Sequence, residues 1–99
     1  MALHLVFTGP SHISTLERCL NSYTKGDAIV LVEDGVLSGA AHSKSSQLLT
    51  SVENCYALTA DLTARGLSER LASDITAIDD AQWVALTEAH SPIISWFAS

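Results

Sequence analysis

The feature that most constrains this chain is the form of its apolar runs. Leu3 to Thr8 reads LHLVFT, and Ala28 to Val32 reads AIVLV. Neither alternates with polar residues as a strand with one wet face would, so both are expected to be buried on two faces. Between them, Ile13, Leu16, Leu20 and Tyr23 recur at helical spacing. Strand, helix and strand in that order make a βαβ unit, whose strands lie parallel. The class that follows is α/β, a three-layer α/β/α domain with a mostly parallel sheet of four to five short strands. A chain of 99 residues fills one core and not two, so residues 1–99 are expected to form a single domain.

The rest of the chain continues the alternation. Gly9-Pro10 ends the first strand, and Ser11 or Ser14 is placed to cap a helix reaching Tyr23. Lys25-Gly26-Asp27 turns into the second strand. After Gly35 a short helix of small residues is expected over Val36 to His42, followed by a serine-rich link, Ser43 to Ser46, and a further turn, Gln47 to Val52. Cys55 to Leu58 reads as a third strand, Ala60 to Gly66 as helical turns stopped by Gly66, and Ile75 to Ile78 as a fourth strand. Asp79 or Asp80 caps a last helix, with Gln82 in capping-box register to Asp79. Trp83, Leu86 and His90 line one face of it, and Ser91-Pro92 ends it. The helices are short and the middle one is weak, so the sheet's cover is thin without a neighbour.

Charge and cysteine usage exclude several functions. Eleven acids against five bases leave a net charge of −6. The bases form no stripe, and gripping a nucleic-acid backbone needs several clustered cations, so direct nucleic-acid binding is not expected. No run approaches the ~18–20 apolar residues of a membrane span. MALHLVFTGPSH has no basic n-region and too short an apolar run for a signal peptide, which leaves a cytoplasmic location as the expectation. Cys19 and Cys55 form no C-x-x-C pair and the four histidines are scattered. No metal site and no cofactor are expected, and both thiols should stay reduced.

In open α/β sheets ligands bind beyond the carboxyl ends of the strands. Phe7 to Ser11, FTGPS, is a strand-loop-helix junction that could cradle a phosphate, but Pro10 removes a donor and no glycine-rich phosphate motif is present. A plain tight turn is the better reading. Glu33-Asp34-Gly35 closes the second strand. Paired acids there could hold Mg2+, yet the first strand ends without an acid and no lysine follows residue 44. The favoured reading makes Asp34 a helix cap with Glu33 near the positive helix end.

Cys19 lies at the edge of the buried stripe of the first helix. It reads either as an inert small hydrophobe or as a reactive thiol near Arg18 and Lys25. Cys55, inside a strand, reads as structural. His4 is expected to be a buried, hydrogen-bonded ring and His90 a C-terminal helix cap, with His12 and His42 on the surface. The final stretch, HSPIISWFAS, concentrates Ile93, Ile94, Trp96 and Phe97. So much apolar surface either folds back on the chain's own sheet or meets another subunit, where tryptophan is favoured.

Several of these stretches also line up with a known family. Leu3-His4, with Pro10 six residues after the histidine, is followed by TLERCL (Thr15 to Leu20) and VEDGV (Val32 to Val36). YAL…DL.ARGL (Tyr56 to Leu67) and HSPIISW (His90 to Trp96) complete the set. In order and spacing they resemble the TusB/DsrH family, the small subunits of bacterial sulfur-relay complexes. The resemblance implies a DsrE/F/H-like domain that joins TusC-like and TusD-like subunits in a heterohexamer. It implies a non-catalytic subunit of a sulfurtransferase complex that passes persulfide sulfur towards 2-thiolation of the tRNA wobble uridine. The DsrH branch, which serves dissimilatory sulfur oxidation, carries a cysteine where Cys19 stands, so the alternative makes Cys19 a persulfide carrier. On this reading Glu33-Asp34-Gly35 is a structural junction whose outer face, like Trp96 and Phe97, is a candidate partner interface.

Overall fold

The computed structural model describes residues 1–98. Five parallel strands form one sheet in the order β4-β3-β2-β1-β5: β1 is Leu3–Val6, β2 Ala28–Leu31, β3 Cys55–Leu58, β4 Thr76–Ile78 and β5 Ile93–Trp96. Each of the first three steps moves one place across the sheet. The last carries the chain back past β1, so β1 and β5 flank the point where the strand order reverses. Four α-helices accompany them: α1 Ile13–Ser22, α2 Lys44–Leu48, α3 Thr59–Ala64 and α4 Asp80–Ala89. The α/β/α class, the parallel sheet and the strands at Cys55 to Leu58 and Ile75 to Ile78 stand as expected, the latter shortened by one residue.

The two layers of helix are unequal. Val6, Ile29, Leu31, Cys55 and Ala57 point to the face covered by Leu16 and Cys19 of α1, Leu62 of α3 and the intervening turns. Leu3, Leu5, Ala28, Val30 and Val32 point to the other face, where Trp83 and Leu86 of α4 are the helical partners. A helix with its side chains is about 10–12 Å across, while five strands at ~4.8 Å spacing span about 19 Å. One helix therefore stops short of the β5 side. Ile93 and Phe97 are left 48% and 58% exposed there, and Phe97 stacks on Phe7 with ring centroids 4.5 Å apart.

Some local expectations are corrected. Neither Ser11 nor Ser14 caps α1. Proline sets up a 3-10 turn over Pro10–His12, and His12 takes the cap position without a side-chain bond. The helix expected over Val36 to His42 is a 3-10 run over Glu33–Gly39, starting at the acidic pair itself, and Asp34 does not cap it. The stretch Ser43 to Ser46 is not a link. Ser43 is the N-cap of α2, its Oγ accepting from the Ser46 amide at 3.1 Å. The tail resolves in favour of the chain's own sheet: Ile93–Trp96 pairs with β1 in register Leu3 to Ile93 through Val6 to Trp96.

Other local signals hold. Asp79 accepts from Gln82 N–H at 2.8 Å and Gln82 Oε1 accepts from Asp79 N–H at 2.9 Å, the full capping box. Gly66 ends α3 at φ +67 with open space around it. Gly35 is required for a different reason, since a Cβ there would overlap the Val6 carbonyl oxygen where the 3-10 run crosses the end of β1. Gly35→Ala is expected to destabilise the fold by about 3 kcal/mol or more through forced separation of β1 and that run. Gly66→Ala should cost only about 1–2 kcal/mol of backbone strain. Chemical denaturation of both variants measures the difference.

Candidate functional site

Three groups of residues carry chemistry, and strand ends position the first two. The first sits at the amino ends of β1 and β2. Asp27, 4% exposed, accepts from the Ala2 amide at 2.8 Å through Oδ1. Its Oδ2 meets His4 Nε2 at 3.0 Å, the Thr24 amide at 3.1 Å and the Thr24 hydroxyl at 3.2 Å. Burial pushes this carboxyl up, but the bonds from His4, Ala2 and Thr24 outweigh it and hold the group well below the ordinary carboxylate range. On its other side, His4 Nδ1 accepts the Trp96 indole N–H at 3.1 Å. An indole nitrogen can only donate, so Nδ1 carries no proton and His4 is the neutral Nε2–H tautomer. The buried His4 expected from the sequence is thus the middle of a carboxylate–imidazole–indole chain joining β2, β1 and β5. Trp96 is tied inward by it, whereas Phe97 faces out.

The second group is the acidic junction after β2. Glu33 takes a left-handed backbone, φ 51, rare for a residue with a side chain, and its amide donates to Asp61 Oδ2 at 2.7 Å. Asp34 pairs with Arg65, whose Nε and Nη2 both lie 3.0 Å from Oδ1. Arg65 Nη1 lies 3.8 Å from Asp61 Oδ1. The acids therefore pin α3 to the end of β2. No group of three or more metal-ligating side chains occurs among the described residues. Arg65 is the partner that sequence reasoning missed. It lies 31 residues from Asp34 and no periodicity links them.

A cleft of about 360 Å3 opens beside this junction, lined by the run Phe7 to His12 with Asp34 and Leu37. It lies at the carboxyl end of β1, where the strand order reverses and where open α/β sheets place ligands. The FTGPS loop thus does form a concavity, although its one formally charged lining residue is acidic.

The third group is the cysteine pair. Cys19 is not at the edge of the buried face but fully inside it, at 0% exposure. Burial, with the Asp27 carboxylate adding to it, pushes its thiol up to about 12. Cys55 is likewise pushed up to about 12 by burial and by Cys19. At pH 7 such a thiol is ionised in only about one molecule in 10^5. A persulfide would also add a sulfur atom to a close-packed core. His90 Nδ1 donates to the Leu86 carbonyl at 2.9 Å and closes α4 as expected, while His12 and His42 are exposed.

Three outcomes follow. Trp96→Phe leaves the buried His4 Nδ1 without a donor and should cost about 1–3 kcal/mol in denaturant unfolding, with the His4 tautomer read by nitrogen NMR. Because the Asp27 carboxyl is depressed in the fold, the unfolded chain takes up its proton first. The stability that Asp27 supplies over Asp27→Asn is then complete above the unfolded value of about 3.9. It is lost progressively as pH falls below the unfolded value towards the folded one, and unfolding curves at pH 2 to 6 would record the onset of that loss. Iodoacetamide should alkylate neither cysteine of the native chain on the timescale on which it alkylates both in denaturant, measured by mass spectrometry.

Comparison with known proteins agrees with this architecture. Residues 8–93 match the family described as DsrH like protein. Protein TusB of Pectobacterium parmentieri is 35% identical over 95 residues, covering 95% of this chain and 99% of that protein. Protein TusB of Escherichia coli strain SMS-3-5 is 35% identical over 98 residues, with the same coverage. Protein TusB of Serratia proteamaculans reaches 43% over 72 residues, covering 72% of this chain and 76% of that protein. The crystal structure of the ychN protein from E. coli superposes with a TM-score of 0.71 over 96% of this chain and 97% of that one. At 13% identity it shares the fold. With the family matched from the β1 loop into β5 and relatives aligned over nearly the whole length, the chain belongs to the TusB/DsrH family.

Proposed function

We propose that this protein is the TusB-type subunit of a cytoplasmic sulfur-relay complex. It assembles with TusC-like and TusD-like chains as a heterohexamer and serves 2-thiolation of the tRNA wobble uridine. The observation that carries the reading is the alignment with TusB proteins over 95% of the chain. Family membership supports the role of a sulfur-relay subunit, and the physical features favour a scaffolding part in it. Both thiols are buried and poorly ionised, which favours a subunit that does not itself carry sulfur. A net charge of −6 favours a station upstream of tRNA contact. The exposed Ile93 and Phe97 beside β5, and the acidic face of Glu33 and Asp34, suit contacts with sister chains. No helix among the described residues is long and apolar enough to cross a membrane.

The test is coexpression with TusC-like and TusD-like proteins from the same source, followed by size-exclusion chromatography at micromolar concentration. The chain should co-elute with both, and a chain that remains a separate monomer overturns the reading. In cells lacking the native subunit, wild type and Cys19→Ser should restore 2-thiouridine in tRNA to within about twofold of each other, measured by nucleoside mass spectrometry. Restoration by wild type alone, with Cys19→Ser still present in the complex at the wild-type level, would make Cys19 the carrier. Restoration by neither would point away from tRNA thiolation.

A further inference from the structure

Behind the wall of the cleft beside the acidic junction lies an unpartnered hydroxyl. Thr8 lines it and is 8% exposed, and its Oγ1 has no hydrogen-bond partner, the one buried side-chain polar atom in that state among the described residues. A buried hydroxyl left alone keeps its desolvation cost and invites a partner. The remaining lining defines what that partner is. Phe7, Pro10 and Leu37 supply apolar walls, Asp34 is the only lining residue with a formal charge at neutral pH, and neither lysine nor arginine lines the cleft. Arg65 engages Asp34 through Oδ1, leaving Oδ2 outside the pair. Glu33, Asp34 and Asp61 against Arg65 leave the rim net negative. An anion would meet the Asp34 carboxylate and lose a donor at Pro10. A head that only donates, carried on an apolar stem, suits both the acid and the apolar walls.

We propose that the cleft seats a lysine or arginine side chain of a partner protein. Its head is shared between Asp34 Oδ2 and the Thr8 hydroxyl, and its stem lies along Phe7 and Leu37. The Thr8 oxygen is shut away in the free chain, so seating involves a turn about χ1 to another staggered position. The proposal deepens the assembly reading and rests on it for the occupant being a sister subunit.

The test titrates the nitrogen-labelled chain with acetyl-lysine N-methylamide, acetyl-arginine N-methylamide and, as an uncharged stem, acetyl-norleucine N-methylamide. The two basic probes should give saturable amide shifts at Thr8, Gly9, Ser11, His12 and Leu37, in the millimolar range expected of a single side chain. Norleucine should not. Thr8→Val should bind at least about fivefold more weakly yet melt no lower than wild type, because it replaces an unpartnered hydroxyl by a methyl of the same shape. Asp34→Asn should weaken binding similarly. Shifts mapping elsewhere, an equal response to norleucine, or a Thr8→Val chain that melts lower and binds normally would each overturn the proposal. Coexpression separates the two readings. If both variants enter the TusC- and TusD-containing complex with wild-type affinity, the cleft contact fails and the assembly stands. A wild-type chain that stays alone removes the assembly and the occupant together.

Discussion

The buried carboxylate of Asp27 is the constraint on which most of this small fold hangs. Among the described residues it is the one acid counted in the core, and a charge there is tolerable only when each oxygen is bonded. The Ala2 amide, the Thr24 amide and hydroxyl, and His4 supply those bonds. Satisfying Asp27 fixes the His4 tautomer, and the free ring nitrogen then fixes the Trp96 indole. A chain of three side chains thereby holds the edge strand β5 in place, 92 residues from its bonding partner in β1. The arrangement works as a unit because removing any member strands a polar group in the interior.

The second constraint is the mismatch between a two-faced sheet and an uneven supply of helix. Parallel sheets need both faces covered. Here α1, α2, α3 and the 3-10 turns crowd one face, and α4 serves the other nearly alone. The deficit falls on the β5 side, where Phe7 and Phe97 stack on each other instead of against a helix. The same strand order that leaves this deficit also opens the cleft at the carboxyl end of β1. Uncovered apolar surface and the acidic cleft therefore adjoin through Phe7, which suits a chain that works within an assembly.

Much of the architecture was legible in the sequence because it is local. Unbroken apolar runs marked buried parallel strands, Asp79 and Gln82 announced their capping box, and Gly66 stopped α3. His4, polar within an apolar strand, had to find a bonded place. The strand Ile93–Trp96 carried a readable signal, two β-branched residues and a tryptophan after a proline, but two isoleucines and a tryptophan also read as an interface tail. The acidic pair was legible as a junction and illegible in its role. Asp34 is held by Arg65, and Glu33 is held in a left-handed backbone by Asp61. Helix-capping statistics concern neighbours within a turn, whereas these partners arrive from another βαβ unit. Cys19 shifted from the rim of a helical wheel to full burial because it joins the same core cluster as Leu49 and Val52, distant residues that a wheel does not contain.

By itself the sequence determined the α/β fold class, the acidic charge balance, and kinship with the TusB/DsrH family. These follow from local periodicity, composition and the order of short motifs, all written along one dimension. Only the tertiary structure decided that Trp96 bonds inward while Phe97 stays out, and that both thiols are sealed. It also brought Thr8, whose hydroxyl has no bonding partner among the described residues, beside an acidic cleft. Each of those facts depends on which distant segments a twisted sheet brings within ~3–4 Å, and a hydrogen bond or a close contact exists only at that range.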